Sequence, residues 1–318
     1  MNTLAISPSR LGIFCMLGGM LFISINDMLV KSLSGDYPLH QLIMLRSVVA
    51  IGFTVALLMA EGGVKLLNTG RWALHAARAL FILIANTSLY AAIASLPLAT
   101  ATALYFVAPL FVTLLSIPVL GETVGPRRFA AIGVGFVGVM VMMGPQMWAG
   151  EGGYGWVVIL PVVAAAFYAA MSVLTRKLGQ TSRASALALH MQFAFISVSA
   201  LVYLVAGDGR FVTPDSNPSV QFLLRAWVWP ASADLLPILG LGVLSAIVGY
   251  LMTQAYRLSH ASVVAPFEYV LLIFSLFWGW TIFGEWPATT VLLGAAIVIA
   301  SGVYIFLREG RVNVAPQV

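Results

Sequence analysis

Charged residues are scarce in this chain, so each one inside an apolar run is informative. Glu268, between Phe267 and Tyr269, is the strongest single signal. A carboxylate in hydrocarbon costs several kcal/mol unless it faces a cavity or a partner. There it can bind an amine or carry a proton, with Tyr105, Gln254 or His260 as candidate partners. The plainer alternative is a neutral Glu held by backbone carbonyls that Pro266 frees. Asn26 and Asp27 sit in another apolar run, with Lys31 one helical turn beyond Asp27, the spacing of a helix-face ion pair. Arg46 lies within the second apolar run near its outer end, and Arg78 in the inner turns of the third. Arg78 can hold a carboxylate or a gate, or anchor a helix at the membrane surface; Arg46 reads as an interfacial residue. His75 and His190 read as packed imidazoles. Glu122 and Glu285 each follow a glycine and read as carboxylates capping the next helix, where negative charge is favoured, or as gate latches.

These residues assemble into one expected cavity: Phe22, Asn26, Arg78, Asn86, Tyr90, Tyr105, Tyr168, Tyr250, Gln254, Phe267 and Glu268. Its polar groups suit a zwitterionic or neutral ligand, and Glu268 and Asp27 are the candidates for coupling to protons. Nothing points to catalysis. The sequence holds no Gly-x-Ser-x-Gly, no His-Glu-x-x-His and no phosphate-binding loop. Without an ATP-binding motif, no ATPase subunit is evident. One cysteine, Cys15, and four histidines without metal-ligand spacing leave no expected metal and no expected cofactor.

The elements that must position these groups follow from composition. Of 318 residues, 61% are hydrophobic and only 8% charged, with mean hydropathy +0.99. A soluble domain averages roughly a quarter charged residues. That excludes a soluble enzyme and a disordered chain. A nucleic-acid partner is excluded too, because the basic residues are spread along the chain. The bilayer is the partner the composition requires. A spanning helix needs roughly 20 apolar residues, and ten such stretches are present, at about 10–33, 38–60, 72–94, 98–119, 127–145, 154–175, 184–206, 233–256, 261–283 and 288–307. The first is read as a retained helix, not a cleaved leader. All but Lys31, Arg46, Arg210 and Arg225 of the 16 Lys and Arg fall toward one side if both termini are cytoplasmic. The expected external loop, 207–232, ends in SVQFLLRAWVW, which reads as a short interfacial helix with Trp227 and Trp229 at headgroup depth.

The two halves resemble each other. Leu96–Thr100 can be laid on Leu258–Ser262, Gly121-Glu122 on Gly284-Glu285, and Val30–Leu33 on Thr175–Leu178. Five spans per copy is an odd number, so the second copy enters the membrane from the opposite side. The expected fold is therefore all-α and integral to the membrane, ten transmembrane helices in two inverted five-helix repeats, 1–145 and 146–318. Inverted repeats characterise secondary transporters, with a site near the midplane between the halves.

LPLATATALYFVAPLFVTLLSIPVLGETVGPRR and SHASVVAPFEYVLLIFSLFWGWTIFGEWP resemble the fourth to fifth and ninth to tenth helices of EamA-type members of the drug/metabolite transporter superfamily. The likeness covers nearly the whole chain. It departs where Leu272 stands opposite Pro109, with Pro266 moving the kink of the ninth helix. Amino-acid exporters of the YddG type are the leading comparison. The resemblance implies a central cavity lined mainly by helices 1, 3, 4, 6, 8 and 9, with 5 and 10 peripheral. It implies a cell (inner) membrane transporter that exports small aromatic or hydrophobic amino acids by alternating access. The alternatives are an importer or exchanger of S-adenosylmethionine, a nucleoside or a drug-like compound. More distant is a membrane-embedded enzyme or sensor acting on lipid.

Overall fold

The structure, a computed structural model, describes residues 8–67, 70–121, 125–148, 154–179, 183–259 and 264–312. Every regular element among them is helical: α1 (Pro8–Leu33), α2 (Leu39–Glu61), α3 (Trp72–Ile93), α4 (Leu98–Tyr105), α5 (Ala108–Leu120), α6 (Pro126–Trp148), α7 (Leu160–Gly179), α8 (Ala184–Ala206), α9 (Pro218–Leu224), α10 (Leu235–Leu258), α11 (Val270–Phe283) and α12 (Thr289–Val312). Seven helical stretches are long and apolar enough to cross a membrane: Arg10–Leu33, Leu39–Glu61, Trp72–Ile93, Leu98–Leu120, Gly155–Leu178, Ala184–Ala206 and Ser232–Leu258. Three shorter apolar helices, Phe129–Pro145, Phe267–Phe283 and Thr289–Ile305, stand where the fifth, ninth and tenth spans are expected. The chain is a multi-pass membrane protein. Helices dominate because hydrocarbon offers the backbone no hydrogen-bond partner of its own.

The fourth span is broken. Pro109 has no N–H to give the carbonyl of Tyr105, so α4 stops at Tyr105 and α5 restarts at Ala108. The amides of Phe106 and Val107 bond back to Thr102, Ala103 and Leu104. In the ninth span a 3-10 turn, Ala265–Tyr269, leads into α11 instead. Both spans end on a left-handed glycine, Gly121 (φ 71°) and Gly284 (φ 64°), the conformation that closes a helix most cheaply when no Cβ is present.

The most extensive packing joins α6 to α12, α1 to α10, α3 to α7 and α2 to α8; α4 meets α11, and α5 meets α7. The α6–α12 contact is backbone on backbone. A Cβ at Gly138 would come within 2.8 Å of the Gly294 carbonyl oxygen, the close approach that small residues permit between helices in lipid.

One end of the bundle carries a strap, residues 207–234, that follows α8. Its α9 is capped by Asn217, whose side chain accepts from the Ser219 amide at 2.8 Å. Ser219 donates to the Ala91 carbonyl at 2.6 Å and meets Ser95 at 2.7 Å. The amide of Gln41 clasps the backbone of Val228, donating at 2.6 Å and accepting at 3.2 Å. Tyr37 donates to Asp234 at 2.7 Å and accepts from the Ala231 amide at 2.9 Å. The hydrogen bond to Asp234 holds the Tyr37 phenol above its ordinary pKa. Arg225 donates to the Gly35 carbonyl.

Three expectations are corrected here. The strap helix stops at Leu224, and 225–231 runs without helix; Trp227 packs on His40 and Tyr203 while Trp229 is fully exposed. Lys31 pairs with Glu285 at 2.8 Å, not with Asp27, and also donates to the Leu96 carbonyl at 2.8 Å. Its long stem reaches the carbonyls that end α3, whereas Asp27 points inward. Glu285 does cap a helix, but not the next one. Its Oε2 accepts the Leu98 amide at the start of α4, at 3.0 Å. Glu122 and His260 lie outside the described residues.

Candidate functional site

A cavity of about 190 Å³ runs down the bundle, room for on the order of ten waters. Its walls come from α1, α2, α3, α4, α7, α8 and α10, with Glu268 and Leu271 closing the side of the ninth span. No described residue of α6 or α12 lines it. The resemblance-implied helices therefore all contribute, and two more join them: α2 through Arg46, and α8 through Ala188, Met191, Gln192 and Phe195.

The polar groups fall into three layers. About 18 Å of α3 separates Arg78 from Tyr90, at 1.5 Å of rise per residue, and both line the cavity. At the Tyr90 level, beneath the strap, Asp27 faces Arg46 and Tyr90. Arg46 donates to the Tyr90 hydroxyl at 3.1 Å. Its guanidinium lies 5.3 Å from the Tyr90 ring centroid and 5.4 Å from that of Phe195, within cation–π range. This corrects the interfacial reading of Arg46. The residue lies two turns into α2 and is buried between aromatic rings.

In the middle layer Glu268 is 6% exposed. Tyr168 donates to its Oε1 at 3.3 Å, and Tyr256 donates to the same oxygen. Among the described residues no hydrogen bond reaches Oε2. The Tyr105 ring sits 5.5 Å from that of Tyr168, completing an aromatic wall. The Gln192 Oε1 and Asn26 Oδ1 atoms, also on the lining, are buried with no hydrogen-bond partner among the described residues. A buried acceptor of that kind calls for water or a ligand.

The third layer is built on Arg78, 3% exposed. It donates from Nε to Thr175 Oγ1 at 2.6 Å and from Nη1 to the Leu187 carbonyl at 3.1 Å. One guanidinium thus ties α3, α7 and α8, and among the described residues no hydrogen bond from its Nη2 is seen. Nearby, His75 and His190 stack at 4.6 Å, with Trp72 edge-on to His190.

Of the residues expected to line the cavity, Asn26, Asp27, Arg78, Asn86, Tyr90, Tyr105, Tyr168 and Glu268 do so. Phe22, Tyr250, Gln254 and Phe267 do not. On α10 the lining face is Ser245, Val248, Gly249, Met252, Thr253 and Tyr256. Gln254 turns away and donates to Tyr250 at 2.9 Å. Tyr256, not Gln254, therefore reaches Glu268. Arg46, Gln192 and Tyr256 were missed as lining residues. Spacing from Gly249 by three and seven positions was the available signal for Tyr256, because i, i+3 and i+7 share a helix face.

Known proteins resemble this chain in sequence and fold. The model of the EamA-like transporter family matches residues 10–144. The riboflavin transporter of Rhizobium johnstonii is 30% identical, over 74% of this chain and 71% of its own. The S-adenosylmethionine uptake transporter of Rickettsia prowazekii is 26% identical, over 91% of this chain and 90% of its own. A protein of solved crystal structure has the same fold, with TM-score 0.65 at 17% identity, covering 95% of this chain and 98% of that one. The chain belongs to the EamA-like transporter family.

Proposed function

We propose that this chain is a secondary transporter that moves an extended, ring-bearing polar metabolite by alternating access, with riboflavin the first substrate to test. One observation carries the reading: a long cavity whose walls are Tyr90, Tyr105, Tyr168, Tyr256 and the flexible Met20, Met171, Met191 and Met252, and whose fixed charges balance. Asp27 and Glu268 stand against Arg46 and Arg78. Such a cavity admits a neutral or zwitterionic solute without leaving net charge in low dielectric. Thioethers and phenols give a conformable surface for a flat conjugated ring. The riboflavin transporter and the S-adenosylmethionine uptake transporter among the relatives both name ring-bearing cargo. A second reading, export of an aromatic or hydrophobic amino acid, is favoured by the same charge balance.

The helix packing supports two inverted five-helix repeats, 1–145 and 146–318. Exchanging each span with the one five places along carries α1–α10 onto α3–α7 and α1–α11 onto α5–α7. It returns α2–α8, α4–α11 and α6–α12 to themselves. With both termini cytoplasmic in the inner membrane, the strap lies outside and Arg78 toward the cytoplasm. Glu268 and Asp27 are the residues to test for proton coupling.

The deciding experiment is counterflow in proteoliposomes. Vesicles loaded with unlabelled riboflavin are given labelled riboflavin outside, with phenylalanine, S-adenosylmethionine and a nucleoside as competitors. Transient accumulation blocked by riboflavin alone supports the flavin reading. Accumulation competed by phenylalanine moves the assignment to amino acids. A Glu268→Gln variant that keeps exchange but loses flux driven by a pH step assigns that carboxylate to proton coupling. Exchange and pH-driven flux both at the unmodified level in that variant remove it from coupling.

A further inference from the structure

The four fixed charges of the cavity are not equivalent. In the layer beneath the strap the opposite charges of Arg46 and Asp27 act on one another, and Arg46 donates to Tyr90 beside them. Arg78 and Glu268 have no opposite charge acting on them in this way among the described residues. Glu268 lines the cavity with one oxygen held by two phenols, and among the described residues no hydrogen bond reaches the other. Among the described residues Arg78 is bonded only to neutral acceptors, Thr175 Oγ1 and the Leu187 carbonyl. The two groups are anchored to the same helix, Glu268 through Tyr168 and Arg78 through Thr175. About 10 Å of α7 separates those two positions.

We propose that Arg78 and Glu268 act as a two-ended ruler, selecting ligands that carry an anionic or strong acceptor group and an N–H donor roughly 10 Å apart. This rests on reading the cavity as the substrate site. Each end supplies what the ligand end lacks. The free guanidinium N–H groups donate to a carboxylate or carbonyl, and the Glu268 Oε2 lone pairs accept from an ammonium or a ring imide. Tyr168 and Tyr256 are positioning residues, because saturating Oε1 fixes the direction in which Oε2 points. The ammonium and carboxylate of an α-amino acid share one carbon and lie ~3 Å apart at ordinary bond lengths. A lone α-amino acid can therefore satisfy only one end with its backbone groups. An extended ampholyte satisfies both and lies along the walls between them.

The ruler can be measured without transport. Thermal unfolding of the purified full chain is followed against 4-aminobutanoate, 6-aminohexanoate, 8-aminooctanoate and 12-aminododecanoate. The extended poles of 8-aminooctanoate stand about 10 Å apart. The expected result is a saturable stabilisation that peaks at the eight-carbon chain, with apparent Kd about tenfold lower than for 4-aminobutanoate, and with phenylalanine no tighter than the short chain. The optimum disappears in Glu268→Gln and in Arg78→Gln, and persists in Arg78→Lys. If Arg78→Gln does not fold, the unmodified chain, Glu268→Gln and Arg78→Lys still decide. A flat length series, or an optimum that survives in Glu268→Gln, overturns the ruler. Absence of counterflow with every solute tried would instead overturn the functional reading, so the two failures are distinguishable.

Discussion

The two ends of the bundle are closed by different means. At the strap end the closing groups stand apart from the cavity. Lys31, Glu285, Gln41, Tyr37 and Ser219 bind backbone and one another, and none of them lines the cavity. At the other end Arg78 does both jobs, lining the cavity while tying α3 to α7 and α8. The closing contacts thus stand apart from the cavity lining on one side and share a residue with it on the other. A ligand that takes Arg78 Nη2 touches the residue that holds three helices together. The Lys31–Glu285 pair is not on the cavity lining, so a ligand seated in the cavity does not touch it.

Changes at Arg78 test this contrast most severely. Arg78→Gln removes a charge-assisted donor and weakens both helix ties together, and a hydrogen bond that involves a charged group is worth ~1.5–3 kcal/mol. We expect exchange of the transported solute to fall about ten- to a hundredfold in proteoliposomes, together with a lower unfolding temperature. A variant that loses only one of the two would separate the roles the contrast fuses.

Next in size is Glu285→Gln, which weakens both the pair with Lys31 and the cap on Leu98. Charge-assisted bonds are roughly twice as strong as neutral ones. The expected outcome is faster labelling, from the strap side, of a cysteine placed at Asn86 in a Cys15→Ala background, with ligand affinity unchanged within about twofold. A parallel loss of affinity would show that the strap end is not separable after all.

Gln41→Leu breaks two hydrogen bonds to Val228. At about 1 kcal/mol per bond, it should lower the unfolding temperature by a few degrees and leave counterflow intact. Smallest of all is Trp229→Ala. The indole is fully exposed, and surface changes of this kind stay within about 0.5 kcal/mol. Neither stability in detergent nor exchange should move measurably.

Much of this was legible in the chain. Long apolar runs show where helices go, since a lipid-exposed backbone has no other stable form, and Glu268 stands out because hydrocarbon tolerates no idle carboxylate. Faces were harder. Successive residues on a helix point about 100° apart, so choosing Tyr250 and Gln254 over Thr253 and Tyr256 needed only a small rotational error on α10. Distant partners were harder still. Lys31 has Asp27 at ideal local spacing, yet the pair that forms is with Glu285, because the fold brings the ends of α1 and α11 beside the α3–α4 turn. Arg46 looked interfacial from its place near the start of α2. What buries it is Tyr90 and Phe195, from helices that local spacing does not connect.

Gly138 and Gly294 hold the backbones of α6 and α12 in direct contact, on helices that give the cavity no described lining residue. Any rocking of one half against the other needs an axis, and the tightest seam away from the cargo is where leverage would be greatest. A methyl group added at either glycine would force that seam open while every group that meets the solute stayed in place. A transport defect mapped there would report on mechanics, with recognition untouched.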